Sequence, residues 1–456
     1  MTAEPEAVPP VVSLVSLGCA KNTVDSERLL GLLVRAGFLI AEDPADADLC
    51  LVNTCGFIEE ARREAADVLA RLARLRRRGR LRTVAAMGCL VERAAGAPET
   101  GSFLDDADAR IPFRDYLRLP EICRALIAGG GASGEAAPAG AGRAARIEDR
   151  FHLQPRLVTG AGHSAWLKIA EGCSNCCRYC AIPAIRGPQA SRPLSDIVAE
   201  ARQLTTAGAV ELNLIAQDTA NYGRDRAGAP RLPELLRAVA DAVPERTWLR
   251  LLYAHPRHLT DEILKTLASD PRFCPYLDVP LQHVATRMLA AMGRGMDGAA
   301  TRRRLDRIAA RWPACALRTT FIAGFPGETE RDFGELLDFV REGRFLHAGV
   351  FVFSPEPGTP AAALGGRVPA AVASARRAAL LEAQRAVSRR RLRAWVGRDL
   401  DVMIDSADGR SARAAWQAPD ADGTVRVEGA RDAAPGRFLR VRVTGSGDYD
   451  LFSACL

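Results

Sequence analysis

Cys173, Cys177 and Cys180 stand in the run Glu-Gly-Cys-Ser-Asn-Cys-Cys-Arg-Tyr-Cys-Ala-Ile-Pro as a C-x3-C-x2-C triplet. Three thiolates leave one iron of a four-iron, four-sulfur cluster without a protein ligand, so that iron is open to a small molecule. Such an iron is the device by which S-adenosylmethionine (SAM) is cleaved reductively to a radical. The competing chemistry is zinc, which closes a structural site with four ligands and favours C-x2-C knuckles. Cys176 and His163 could complete a zinc set. Position favours the cluster, because the triplet follows a strand pattern at what would be the C-terminal face of a barrel. Cys176 permits a second register, C-x2-C from Cys173; we take Cys177 as the ligand and Cys176 as a packing thiol.

Three further cysteines share a local setting. Cys19 follows a strand in Ser-Leu-Gly-Cys-Ala-Lys-Asn, Cys55 follows another in Val-Asn-Thr-Cys-Gly-Phe-Ile, and Cys89 a third in Ala-Met-Gly-Cys-Leu. In an open parallel sheet the carboxyl ends of the strands lie along one edge, where ligands bind. The three thiols are therefore expected to converge, each in a turn whose free N–H groups stabilise thiolate and sulfide. Any one of them alone would read as a small buried hydrophobe. Cys50, Cys123, Cys274, Cys315 and Cys455 have no partner spacing and are assigned to packing or surface.

Other residues at strand ends are weaker candidates. Tyr179, inside the cluster loop, is placed to stack near an adenine, and Gln217, Gly324 and Gly327 are assigned to the SAM site. Gly324-Phe325-Pro326-Gly327-Glu328 would let backbone approach a ligand closely, although a plain βα turn uses the same residues. Gln217-Asp218, His255-Pro256 and Gln282-His283 also fall at strand ends.

The elements that must position these groups follow from periodicity. Strands at Val11–Leu17, Asp48–Asn53 and Thr83–Met87 alternate with helices at Val24–Arg35 and Ile58–Arg77, which predicts a parallel α/β sheet domain over residues 11–127. The arginines from Arg71 to Arg82 read as a solvated helix face. Residues 128–155 are Gly- and Ala-rich, a linker by composition. Strands at Trp166–Ala170, Val210–Ala216, Thr247–Leu252, Tyr276–Pro280, Leu317–Ala323 and Ala348–Phe353 carry the rhythm through residues 156–385, with a helix Asp196–Thr206 behind an N-cap Ser195. Six such units are too few for a closed eight-stranded barrel of about 250 residues, so an open, six-stranded partial barrel is expected. After an Arg-rich helix from Ala373 to Arg393, short strands at Asp399–Ile404, Ala412–Trp416, Thr424–Val427 and Arg437–Val443 predict a small all-β barrel over 394–456, similar in kind to an OB-fold.

Composition narrows the setting. The 456 residues carry 12 cysteines and a net charge of +7. Residues 1 to 10 are acidic and Pro-rich with no basic n-region or apolar h-region, so a cytoplasmic location is expected, with the cysteines in metal binding and packing rather than disulfides. No apolar run reaches the roughly 18 residues that cross a bilayer, and no membrane partner is expected. Only three basic residues are lysine (Lys21, Lys168, Lys265), a skew we ascribe to genome composition rather than to phosphate binding.

On these motifs the chain resembles the radical-SAM methylthiotransferases. C-x3-C-x2-C followed by Ala-Ile-Pro is similar to the radical-SAM core, and the three-cysteine N-terminal domain and C-terminal barrel (a TRAM domain) are similar to the rest of that family. Ser-Leu-Gly-Cys-Ala-Lys-Asn-Thr-Val-Asp-Ser-Glu (16–27), Gln217-Asp218-Thr219 with Tyr222-Gly223, and Asp448-Tyr449-Asp450-Leu451 resemble the branch that modifies an aspartate of small-subunit ribosomal protein twelve. Ala20 stands where the family's usual motif has Pro, which leaves the ligand untouched.

The resemblance implies two 4Fe-4S clusters and SAM. Cys173, Cys177 and Cys180 would hold the cluster that cleaves SAM, and Cys19, Cys55 and Cys89 an auxiliary one that delivers sulfur. A radical would remove hydrogen from the aspartate β-carbon, and further SAM would supply methyl. The implied partners are the ribosomal protein or the assembled small subunit, and an electron donor such as flavodoxin or ferredoxin. Charge offers a separate criterion: residues 398–456 hold eight Arg against ten Asp plus Glu, whereas an RNA-binding barrel should be basic. The preceding segment Arg367 to Arg393, with eight Arg and one Glu, keeps RNA contact open. The alternatives are a tRNA adenosine 2-methylthiotransferase and, from another class, a non-enzymatic iron–sulfur sensor or RNA-binding module.

Overall fold

The computed structural model describes residues 8–129, 156–160, 162–430 and 433–456. The expected linker lies outside the described residues from 130 to 155. Strands β1 (Val11–Ser16), β2 (Leu39–Ile40), β3 (Leu49–Thr54), β4 (Thr83–Gly88) and β5 (Ala109–Ile111) form a wholly parallel sheet in the order β2-β1-β3-β4-β5. Helices α1 (Ala20–Arg35), α2 (Glu59–Arg77), α3 (Cys89–Gly96) and α4 (Leu119–Ile127) cover it. Every residue of β3 is buried, as a central parallel strand covered on both faces requires. The edge strands β2 and β5, of two and three residues, were too short to show a period in the sequence.

The second sheet contains β6 (Ser164–Lys168), β9 (Glu211–Ile215), β10 (Trp248–Leu251), β11 (Phe273–Asp278), β12 (Ala316–Ala323) and β13 (His347–Val352). They run parallel in the order β13-β12-β11-β10-β9-β6, an open six-stranded curve with β13 and β6 as free edges. This is the expected partial barrel. A two-stranded ribbon, β7 (Ala170–Glu171) with β8 (Ala190–Ser191), brackets the cluster loop and the short helix α5 (Ile182–Arg186). Helix α6 (Leu194–Thr206) begins earlier than predicted. Its N-cap is Pro193, and Ser195 lies inside the first turn bonded to Asp196, because Pro at the boundary already fixes the entry φ.

The C-terminal strands β14 (Asp399–Ile404), β15 (Ser411–Ala414), β16 (Val425–Glu428), β17 (Phe438–Ser446) and β18 (Leu451–Cys455) close a barrel in the order β14-β15-β16-β18-β17. The fifth strand was missed, since Leu451–Cys455 alternates only weakly. Among the described residues no helix is long and apolar enough to cross a membrane.

Buried ion pairs join the three sheets. Glu211 at the start of β9 accepts from Arg250 (Nη2 2.9 Å), from Arg413 of the small barrel (Nη2 2.8 Å) and from Ser164 (2.7 Å). Burial alone would raise the Glu211 carboxyl, but Arg413 and Arg250 overcome it and hold it well below the usual range. Its stabilisation is therefore complete above the ordinary carboxylate value of about 4.3 and is lost as pH falls through that value toward the folded one. Glu211→Gln should destabilise the protein by about 3–5 kcal/mol at pH 7, the cost of leaving buried cations unpaired. The gap between the two proteins should narrow in urea titrations repeated toward pH 4.

Candidate active site

All six predicted cysteines line one cavity of about 340 Å³ between the carboxyl edges of the first two sheets, with Tyr179, Gln217, His255, Gln282, Lys21, Asn22, Arg186 and Arg294 among the other walls. The first triplet is gathered by topology. Cys19 is the N-cap of α1, Cys55 lies between β3 and α2, and Cys89 opens α3 directly after β4. Gly18 makes their approach possible: a Cβ there would stand 2.8 Å from the Cβ of Cys55. Asn22 then ties the three strand ends together. Its Nδ2 donates to Leu17 O (2.9 Å) and Thr54 O (3.1 Å), while its Oδ1 accepts from the Cys89 thiol at 3.5 Å.

The second triplet is held by a loop with a different set of bonds. Cys173 N–H donates to Gly187 O at 3.1 Å, and Cys180 N–H to Cys177 O at 3.1 Å. Asn175 Nδ2 donates to Asp218 Oδ2 (2.8 Å), and that carboxylate also pairs with His258 Nδ1 at 2.7 Å. Asp218 is thus a positioning residue for the loop rather than part of the cavity wall. Gly293, whose φ is +69, packs its backbone against the loop, where a Cβ would come within 2.5 Å of Cys176 O. Gly293→Ala should cost about 2 kcal/mol or more from the left-handed backbone together with the clash. Gly37→Ala is the matched control, since its φ is +86 and nothing surrounds its Cβ position. Iron bound per chain after reconstitution should fall for the first variant and hold for the second.

Arginines that the sequence did not single out dominate the electrostatics. Arg186 is buried, with Nε 3.2 Å from Cys89 Sγ and Nη1 donating to Glu171 (2.8 Å) and to Asp25 of α1 (3.1 Å). Lys168 pairs with the same two carboxylates. Arg294 Nη1 lies 3.2 Å from Cys177 Sγ and 3.3 Å from the Tyr179 hydroxyl. Burial would raise the Cys19 thiol, but Lys21, Arg186 and the N–H groups of Asn22 and Lys21 bring it below its ordinary value. Burial pushes Cys89 and Cys180 up to about 12 and Cys173 up to about 11, and it also raises Cys55.

This donor set fits iron–sulfur clusters. The raised thiols of Cys55, Cys89, Cys173 and Cys180 shed their protons when a metal cation binds, and nearby arginines offset the negative charge such clusters carry. Among the described residues no three His, Cys, Asp or Glu side chains gather closely enough for a single ion. His163 bonds Asp405 of the small barrel at 2.9 Å, and Cys176 faces a different cavity.

The remaining predicted residues divide. Tyr179 and Gln217 line the cavity, as do His255 and Gln282. Gly324 and Gly327 are not among the residues that line this cavity. Gly324 instead makes room for the long C-terminal helix, since a Cβ there would meet Ala373 Cβ at 2.4 Å, and Gly327 N–H bonds Gly366 O. Neighbouring Glu328 pairs with His283 (3.2 Å) and Arg376 (2.7 Å), which makes the turn a structural junction.

A second cavity, of about 600 Å³, shares Phe57, Tyr179 and Gln282 with the first and runs along β13, where Phe351 is 54 % exposed. The three shared side chains form a common wall between the two cavities.

Three family models match the chain: the Uncharacterized protein family UPF0004 over residues 11–101, the Radical SAM superfamily over 167–340, and the TRAM domain over 396–456. Proteins named ribosomal protein uS12 methylthiotransferase RimO are similar over nearly the whole length. That of Anaeromyxobacter sp. (strain Fw109-5) is 42 % identical over 96 % of this chain and 92 % of its own. That of Geobacter sulfurreducens is 42 % identical over 96 % and 97 %. Among solved structures, the radical SAM methyltransferase TsrM of Kitasatospora setae superposes with a TM-score of 0.54 at 18 % identity, covering 78 % of this chain and 77 % of that one. The cobalamin-dependent radical enzyme OxsB gives 0.54 at 12 % identity, over 77 % and 54 %. These two likenesses concern fold alone.

Proposed function

The chain belongs to the ribosomal protein uS12 methylthiotransferase family, and from that premise we propose that it adds a methylthio group to the β-carbon of an aspartate in that protein. The observation that carries this reading is the convergence of two cysteine triplets, from two separate sheets, on one cavity. Sulfur insertion at an unactivated carbon needs a site for radical generation and a site for sulfur within reach of the same target atom. When bound, a 4Fe-4S cluster on Cys173, Cys177 and Cys180 with SAM supplies the radical chemistry, and a second cluster on Cys19, Cys55 and Cys89 supplies sulfur.

The chain's own groups prepare that chamber. Arg186 and Lys21 place positive charge beside the first triplet, and Arg294 beside the second. Asn22 fixes the three strand-end turns, while Asp218 and Asn175 fix the loop that presents Cys173 and Cys177. Tyr179 and Gln217 bound the space between the triplets and contribute to the SAM pocket. The target polypeptide enters by the cavity along β13, past Phe351 and Phe57.

Charge supports a protein target over RNA. Two outer arginines of the small barrel are paired within it, Arg440 with Asp401 (3.1 Å) and Arg442 with Asp399. On the preceding helix Arg389 pairs with Asp448 at 2.6 Å and Arg376 with Glu328 at 2.7 Å. With eight Arg against ten Asp plus Glu over 398–456, the barrel lacks the net positive charge that phosphate binding draws on. We place the enzyme in the cytoplasm, acting on the ribosomal protein alone or in the small subunit and fed by a one-electron donor protein. Mass spectrometry of a deletion strain tests the target. Ribosomal protein uS12 should lose its methylthio group while tRNA keeps its own modifications; loss from tRNA alone would overturn the reading.

A further inference from the structure

A polar cavity of about 270 Å³ lies on the far side of the cluster loop from the methylthiolation chamber, lined by Ser174, Asn175, Cys176, Arg224, Arg257 and His258 among others. Asn175, His255 and Arg294 line both this cavity and the thiol chamber. These three side chains form a layer common to the two cavities. That layer is fixed rather than loose: Asn175 is bonded to Asp218, His255 N–H donates to the same carboxylate at 3.2 Å, and Arg294 is bonded to Cys177.

The rim of this cavity is basic. Arg224 and Arg257 are exposed on it. Arg178 is also exposed and sits beside Gly293 of the same rim through its N–H bond to Met292 O at 3.0 Å. Among the described residues none of these three takes part in an ion pair, unlike Arg192, Arg272, Arg287 and Arg318 around the barrel. Asp218 and Asp225, the latter next to Arg224 in sequence, are committed elsewhere: Asp218 to the loop, and Asp225 to Ser191 N–H at 2.8 Å. The guanidinium of Arg257 rests against Gly295, so it is held at the rim rather than free to fold away.

The proposed reaction consumes an electron that no group of this chain can supply. The cavity along β13 shares no lining residue with the basic cavity, so the target and an electron carrier can be bound at once on separate faces. We propose that the basic rim formed by Arg178, Arg224 and Arg257 is the docking surface for an acidic, low-potential, one-electron carrier protein with a flavin or iron–sulfur centre. In the step, the carrier is oxidised by one electron and the cluster on Cys173, Cys177 and Cys180 is reduced by one, with no bond made or broken. Redox encounters of this sort use small, charged and transient interfaces, and rim charges act on their association rate and salt dependence. The inference rests on the function proposed above.

The test is anaerobic stopped-flow reduction of the reconstituted enzyme by a reduced acidic flavodoxin across a range of ionic strength. Photoreduced deazaflavin serves as a small reductant that needs no docking surface. An Arg224→Glu/Arg257→Glu variant should lose about tenfold or more in second-order rate at low salt and show a flattened salt dependence. Its reduction by deazaflavin should be unchanged, and Arg224→Gln/Arg257→Gln should fall between. Equal rates and equal salt dependence in variant and parent would overturn the proposal. So would weakened binding to ribosomal subunits with reduction rates intact, which would make the rim an RNA contact. If deazaflavin reduces no cluster in the parent protein, the function itself fails and this surface with it.

Discussion

Replacing Cys177 with alanine is expected to end SAM cleavage altogether, while replacing Cys89 with alanine should leave SAM cleavage in place and end methylthio transfer. The separation follows from the placement of the two triplets. Cys173, Cys177 and Cys180 belong to one loop after β7, and Cys19, Cys55 and Cys89 to three strand ends of the other sheet. Losing one thiolate from a three-cysteine set leaves two irons open, which such clusters do not tolerate well. Iron per chain after reconstitution should therefore fall by about half in each variant, since each retains one of two sites. Deoxyadenosine formation, measured without target protein, should vanish in Cys177→Ala and persist in Cys89→Ala. Cys176→Ala should behave as the parent in both assays, because its thiol faces the outer cavity. Loss of SAM cleavage in Cys176→Ala would move the ligand set to the alternative register.

Arg186→Met is the substitution expected to do most harm without touching a thiol. The Arg186 guanidinium bonds Glu171 within its own sheet unit, and Asp25 and Asn22 on α1 of the other. It is therefore a bond between the two halves of the chamber as well as a charge beside Cys89. Without it Asp25 and Glu171 stay buried and keep only part of their positive surroundings, Lys168 among them. Breaking a buried pair by removing one partner costs about 3–5 kcal/mol, a large share of the stability of an ordinary domain. The urea midpoint should fall accordingly. Iron at the auxiliary site should fall with it, because the cation opposing the high Cys89 thiol is gone. Arg186→Lys keeps the charge but not the planar fork and should recover only part of the loss. A full recovery would mean that charge alone matters there.

How much of this was legible in the sequence depends on the range of the interaction involved. The cysteines could be read because strand-end position is local information: Cys19, Cys55 and Cys89 each follow an apolar run by a residue or two. The direction of a parallel sheet then brings them to one edge. The six strands of the partial barrel were legible for the same reason, and their predicted boundaries differ from the observed ones by a few residues. The short edge strands and Leu451–Cys455 were not, since two to five residues of weak alternation carry too little period. Arg186 and Arg294 were invisible. Nothing in Ala-Ile-Arg-Gly or Gly-Arg-Gly separates them from the other arginines of an Arg-rich chain. Their meaning comes from partners such as Asp25 and Cys177, more than a hundred residues away. The sequence alone does not separate the possible roles of Gly324 and Gly327, because glycine at a strand end serves a ligand and a packed helix equally well. Here the helix bearing Ala373 took the space.

The central claim is that one chamber carries out sulfur insertion into a protein target. It is tested most directly by incubating the anaerobically reconstituted enzyme with SAM, a reductant and either small ribosomal subunits or tRNA, followed by peptide and nucleoside mass spectrometry. The account predicts a methylthio group on one aspartate of uS12, formed only when both cysteine triplets are intact, and unmodified tRNA. A methylthio-adenosine in tRNA with uS12 unchanged, or SAM cleaved with sulfur transferred to neither, would contradict it.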